Sequence, residues 1–167
     1  MNKLLVVLGV SGVGKSSIID ALIGLDARFT YIVPFTTRPS RGSGDAKISV
    51  TDAEMDALRD RGELLSVNEV YGIRCGTPRL SIALALEQGR LPVLDWPIAC
   101  MDVMTRSFPG QTYSVYVVPP SCEDVERRLA REGRKLEEDR LEALREELDA
   151  YAKDTAPVAA IDASNEI

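Results

Sequence analysis

A chain of 167 residues with 45% apolar side chains, 26 acidic residues, 20 basic residues and no histidine has the length and apolar content of one domain with a full core, which excludes intrinsic disorder. The missing histidine excludes Ser-His-Asp and Cys-His hydrolases and histidine-bearing zinc sites. A formal net charge of −6 with few aromatics argues against a partner that is a nucleic-acid polymer, which calls for a basic face, and no stretch reaches the roughly 18 apolar residues of a membrane span.

In chain order, Met1-Asn2-Lys3 and the apolar run Leu4–Val10 imitate a short signal peptide. The run leads into glycines and a lysine rather than a small-residue cleavage site, so it is read as a strand buried on both faces. Lys15–Leu25 has Ile18, Ile19, Leu22 and Ile23 at helical spacing. Tyr31–Thr36 reads as a second strand, followed by a polar stretch from Thr37 to Lys47. Thr51-Asp52-Ala53-Glu54 opens a short helix with a capping box and ends near Arg61-Gly62. Leu64–Arg74 fits a hairpin or an irregular strand. Pro78 suits the first turn of a helix that runs to Gln88 and stops at Gly89.

Leu91–Trp96 is the next strand, Ile98–Arg106 a weak helix, and Tyr113–Val118 an alternating strand closed by Pro119-Pro120. Ser121 caps a helix with Cys122, Val125 and Leu129 facing inward and Gly133 as its stop. Leu141, Leu144, Leu148 and Tyr151 share one face of a last long helix, and Val158–Ile161 is a final short strand. Strands alternating with helices imply crossover connections, hence an α/β fold with a parallel core sheet flanked by helices. Cys75, Cys100 and Cys122 are odd in number and lack paired spacing, which suits reduced thiols in a cytoplasmic protein. Eleven acids and seven bases between Glu123 and Asp149 concentrate the acidity on late helices, read as a solvated face.

Gly9-Val10-Ser11-Gly12-Val13-Gly14-Lys15-Ser16 matches G-x-x-x-x-G-K-[ST] in full, between a buried strand and an amphipathic helix. Glycines let the backbone turn its N–H groups onto a phosphate, and the helix that follows aims its positive end at the same anion. Gly9, Ser11, Gly12, Val13, Gly14, Lys15, Ser16 and Ser17 are therefore the candidate ATP-binding residues. Lys15 reaches the β- and γ-phosphates and Ser16 holds the Mg²⁺ that accompanies ATP. Further on, Arg38 and Arg41 stand three apart in a polar loop, and guanidinium forks suit a phosphate dianion.

With these residues in place the chain resembles the guanylate kinase family of nucleoside monophosphate kinases. The resemblance rests on the Gly9–Ser16 loop, Thr36-Thr37-Arg38 with Arg41, Gly72 with Gly76-Thr77-Pro78, Val93-Leu94-Asp95, Pro119-Pro120-Ser121, Arg128-Leu129 with Gly133, and Arg140-Leu141 ahead of Glu147-Leu148. It implies a P-loop kinase fold in one domain: a core (1–33 and 78–167), a small acceptor-binding lobe (about 34–77) and a short lid (about 131–140). It implies transfer of the ATP γ-phosphoryl group to GMP or dGMP. By position, Arg38 and Arg41 clamp the acceptor phosphate, Thr77 lies near the bound base, Asp95 ends the third core strand, and Arg140 reaches the transferred phosphate from the lid.

Departures gather in the acceptor lobe. A family tyrosine that binds phosphate aligns near Lys47, and the tyrosine before Gly-Thr-Pro is Cys75. The glutamate that reads the guanine edge aligns with Ser66, and an aspartate two residues after Asp95 is replaced by Pro97. The lid pair Arg-Gly reads Glu132-Gly133. Glu69 is three residues from Ser66, so an extended strand turns it to the opposite face. Lys47, Ser66 and Cys75 thus join Arg38, Arg41, Thr77 and Asp95 as candidate acceptor-binding residues, and Lys15, Arg38 and Arg140 are the candidate catalytic ones. Three readings stand at this point: a kinase for a guanine-like monophosphate, a kinase for another small phosphorylated acceptor such as a sugar phosphate, and a non-catalytic interaction module on the same fold. Trp96 is read as core or pocket wall, and Asp162 falls near a family asparagine by the adenine site.

Overall fold

The computed structural model describes residues 3–40, 42, 46–70, 72–118, 121–131, 142, 145–146 and 159–162. Its elements run β1 (Leu4–Leu8), α1 (Lys15–Leu25), β2 (Phe29–Tyr31), β3 (Phe35–Thr36), β4 (Ile48–Ser49), α2 (Asp52–Asp60), β5 (Leu64–Val70), β6 (Ile73–Pro78), α3 (Arg79–Glu87), β7 (Leu91–Asp95), a 3-10 turn (Ile98–Cys100), α4 (Met101–Ser107), β8 (Thr112–Val118), α5 (Cys122–Arg131) and β9 (Ala159–Asp162).

The core sheet has five strands in the order β2-β7-β1-β8-β9, every pair parallel. Successive residues of a strand face opposite sides, and β1 uses both. Leu4, Val6 and Leu8 pack with Ile82 and Leu86 of α3, Met101 and Met104 of α4, and Trp96. Val7 joins Ile19 of α1 and Val125 and Leu129 of α5 on the other side. A strand apolar at every position is thereby covered on both faces, as a parallel sheet requires. Trp96 is 1% exposed and its Nε1–H donates to the Cys100 carbonyl at 3.0 Å, which makes it core.

A second sheet has the order β4-β3-β6-β5, with β3 parallel to β4 and β6 antiparallel to both β3 and β5. It corrects two expectations and adds one short strand. The strand expected over 31–36 is two strands in different sheets. The Ile32 N–H still donates to Val93 at 2.9 Å, but Pro34 has no N–H to extend that ladder, and the chain crosses to the second sheet at Phe35. Pro78 is not in a helical turn; it ends β6 with φ −69° and ψ 118° and precedes α3, because proline's fixed φ suits extended and helical backbone equally. The polar stretch is followed by β4, too short and too exposed to leave a hydrophobic pattern.

The helix α2 begins as read: the Thr51 hydroxyl accepts from the Glu54 N–H at 3.2 Å and the Glu54 carboxylate accepts from the Thr51 N–H at 2.7 Å. It packs on one face of the second sheet, where a Cβ on Gly76 would lie 2.6 Å from Met55 Sδ. Arg74 fastens it there, donating to Asp56 at 2.7 Å and Asp52 at 3.2 Å. That guanidinium hydrogen bond holds the Asp56 carboxyl below its ordinary 3.8. At α5, Ser121 Oγ accepts from the Asp124 N–H at 3.1 Å, and Val125 and Leu129 are buried. Arg41, the segment expected as a lid (about 131–140) beyond Arg131 with Gly133 and Arg140, the Cys122 side chain, and Leu141, Leu144, Leu148 and Tyr151 lie outside the described residues.

Candidate active site

The chain leaves β1 at its C-terminal end, where the core sheet's order reverses around it: β1 lies between β7 and β8. Open α/β sheets bind ligands in the crevice at such a point. Gly9, Gly12 and Gly14 take φ of +137°, +86° and +108°, a region that L side chains rarely enter. Two of them are also pinned by packing. A Cβ on Gly9 would sit 2.8 Å from the Val117 carbonyl, and one on Gly12 would sit 2.7 Å from the Leu129 side chain. Val13 is 1% exposed within the β1–α1–α5 core, so its side chain anchors the loop and only its backbone is offered to a ligand.

The loop wraps toward Lys15, whose ammonium donates to the carbonyls of Gly9 at 2.5 Å and Val10 at 3.0 Å. Gly14 precedes α1, and the helix carries no acidic side chain in its first turn. Its partial positive end is therefore left for an anion. Ser16 and Ser17 are exposed in that turn. All the residues expected to bind ATP thus fall in one loop and the turn after it. Arg128, on α5, was given no role from sequence; its Nη1 donates to the Val13 carbonyl at 3.0 Å, which adds a cation beside the loop. Its place one residue before the core residue Leu129 was the available clue.

Beside the loop, β7 ends at Asp95, in register with Val7. Lys47, at the entry to β4, reaches it: Nζ lies 3.7 Å from the Asp95 carboxylate, with the two side chains 27% and 25% exposed. This contact joins the second sheet to the C-terminal edge of the core sheet. Arg38 follows β3, with its backbone held by Thr36 Oγ1, which accepts from the Arg38 N–H at 3.3 Å, and by Ser49 Oγ, which donates to the Arg38 carbonyl at 3.0 Å.

Register sorts the rest of the second sheet by face. Ser66 pairs with Thr77, Asn68 with Cys75, and Thr36 with Cys75, and the Cys75 thiol lies 3.7 Å from Thr36 Oγ1. These side chains share the face turned away from α2, whereas Arg74 and Gly76 are on the α2 side. Thr36 is fully buried and Thr77 is 6% exposed. The Ser66 hydroxyl is buried and makes no hydrogen bond among the described residues. Glu69 pairs with Arg74 on the opposite face and is exposed. Asn68 was not singled out from the sequence; the two-residue period from Ser66 would have found it.

The family model described as guanylate kinase matches residues 1–159. The guanylate kinase of Nostoc sp. is 33% identical over 155 residues, which cover 89% of this chain and 77% of that protein. Among solved structures, the guanylate kinase of Anaplasma phagocytophilum superposes with a TM-score of 0.76 at 22% identity, covering 98% of this chain and 78% of the other. A gluconokinase of Sinorhizobium meliloti superposes at 0.54 with 21% identity, covering 99% and 85%; at that identity it speaks for the shared fold alone.

Proposed function

The chain belongs to the guanylate kinase family, and from that premise we propose how its own residues carry out the family's reaction. It is an ATP-dependent phosphotransferase that moves the γ-phosphoryl group of ATP to GMP. The observation that favours a working kinase over a non-catalytic module is the phosphate loop. Its three glycines keep left-handed φ, its lysine is present, and the helix behind it leaves its first turn free of acids.

Phosphoryl transfer relies on positioning and on charge where the transition state develops it, so no histidine base is needed. Lys15 is assigned to the transferred group: it exchanges its bonds to the Gly9 and Val10 carbonyls for bonds to phosphate oxygens. Arg38 and Arg41 are assigned to the acceptor phosphate and Arg140 to the lid-side face of the reacting group. Lys47 and Asp95, in contact with each other, are assigned to the boundary between acceptor and loop, with Lys47 supplying a cation where the family resemblance places a tyrosine. Ser66, Cys75 and Thr77 are assigned to the acceptor side, on the face of the second sheet turned away from α2. The acceptor lobe is assigned to about 34–77 and the lid to about 131–140.

Magnesium draws most of its ligands from phosphates and water and needs only one or two protein oxygens. The exposed Ser16 hydroxyl in the first turn of α1 fits that requirement. Bound with ATP, the ion would neutralise charge on the phosphate oxygens. No helix among the described residues is long and apolar enough to cross a membrane. We place the enzyme in the cytoplasm, where ATP is supplied and free thiols such as Cys75 and Cys100 stay reduced.

The test is ADP release from ATP and Mg²⁺ with GMP as acceptor, for the wild type and Lys15→Ala. Turnover by the wild type and a loss of about 10²–10³-fold in kcat for the variant are expected, as for removal of one preorganised charge donor. A wild type inert toward GMP, or a variant within tenfold of it, would remove the assignment.

A further inference from the structure

We propose that Asn68 is a specificity-determining residue whose neutral carboxamide, together with the Ser66 hydroxyl, reads the base edge of the acceptor. The proposal rests on the reading that the acceptor is a nucleoside monophosphate. Three observations carry it. Asn68 and Ser66 are two residues apart on β5 and face Cys75 and Thr77 across the ladder, on the side of the sheet turned away from α2. The Ser66 hydroxyl is buried without a hydrogen-bond partner among the described residues, a costly state that a ligand group would relieve. The carboxylate nearest in sequence, Glu69, belongs to the opposite face and is exposed.

The polar face formed by Thr36, Ser66, Asn68, Cys75 and Thr77 carries no carboxylate. The cations assigned to phosphate, Arg38 and Lys47, leave it for the uncharged part of the acceptor. Half-buried Asn68 has the largest polar group there, with two donors and one acceptor atom. A carboxylate only accepts, so it suits the adjacent N1–H and 2-amino donors of guanine. A carboxamide instead accepts from N1–H and donates to O6, a pair that guanine shares with hypoxanthine. This chain should therefore recognise the 6-oxopurine edge and depend little on the 2-amino group.

Steady-state kinetics with GMP, IMP and ATP, on the wild type, Asn68→Ala and Asn68→Asp, test this. For the wild type, kcat/KM for IMP is expected within about tenfold of that for GMP, because only one unpaired amino group separates them. Asn68→Ala should raise KM for GMP at least about tenfold while KM for ATP and the thermal midpoint stay put. Asn68→Asp keeps the shape, removes the donor, and should raise the GMP-to-IMP ratio about tenfold. The proposal is overturned if wild-type kcat/KM for IMP lies far more than about tenfold below that for GMP, if Asn68→Ala keeps KM for GMP within about twofold, if Asn68→Asp leaves the ratio within about twofold, or if Asn68→Ala also raises KM for ATP and lowers the midpoint, which marks a structural role. A wild type that releases no ADP with GMP defeats the family-level reading itself, and that result is in hand before any variant is made.

Discussion

Gly12→Ala tests whether the phosphate loop is held by backbone conformation alone or also by α5. Gly12 sits at φ +86°, and a Cβ there would lie 2.7 Å from both Cγ and Cδ2 of Leu129, a residue 3% exposed in the core cluster that holds Val13. The left-handed φ costs a non-glycine residue about 1–2 kcal/mol. Overpacking against a buried leucine that cannot withdraw adds about 1–3 kcal/mol. The expected total is about 2–5 kcal/mol, or a fall of about 1–2.5 M in the urea midpoint for a slope near 2 kcal/mol/M. Leu129→Ala alone leaves a cavity and costs about 2–5 kcal/mol. Truncating Leu129 removes the clash but not the φ strain. In that background Gly12→Ala should cost only about 1–2 kcal/mol, a coupling of about 1–3 kcal/mol in the double-mutant cycle. Urea denaturation of the four proteins measures it. Strict additivity, or a single-variant cost below about 0.5 kcal/mol, would refute the packing of α5 on the loop as the reason for glycine at this position.

Lys47→Met should raise the acceptor's KM about tenfold with KM for ATP unchanged, yet cost less than about 1 kcal/mol of stability, because a partly exposed pair 3.7 Å apart contributes little; an unchanged acceptor KM would contradict its assignment. Thr51→Ala removes the hydroxyl that accepts from the Glu54 N–H, leaves the Thr51 N–H to the Glu54 carboxylate, and should cost about 1 kcal/mol, a drop of about 2–4 °C in Tm, with the kinetics of ATP unaffected. The Asp56 carboxyl is held low by Arg74, so its contribution to stability is present above the carboxyl's ordinary 3.8 and is lost as pH falls through its lower folded value. Arg74→Ala should flatten the acid limb of a stability–pH curve below about pH 5 and lower the plateau above it; parallel acid limbs in the two proteins would count against the Arg74–Asp56 contact.

Some of this was legible in the residues because the cause is local. The glycine spacing ahead of Lys15 sets the φ pattern of the loop, the unbroken apolar run of β1 demands cover on both faces, and Thr51 with Glu54 closes its own cap. The parity of Ser66 and Glu69 along one strand was likewise available from a two-residue period. The division of residues 31–36 between two sheets was not. Nothing in the hydrophobic pattern reports that Ile32 bonds to Val93 while Phe35 pairs with Gly76.

The sequence by itself pointed to a triphosphate loop, to arginines whose forks would suit a second phosphate, and to an α/β order that places the loop at a strand's C-terminal end. Each of these is written in contiguous residues, where backbone preference and spacing act over a few positions. Only the tertiary structure decided which side chains share the face of the second sheet turned away from α2. Lys47 meets Asp95 across the two sheets, Leu129 closes on Gly12, and Asn68 stands with Ser66 opposite Cys75 and Thr77. Those meetings depend on strand register and on packing between segments far apart in the chain, which no local propensity encodes.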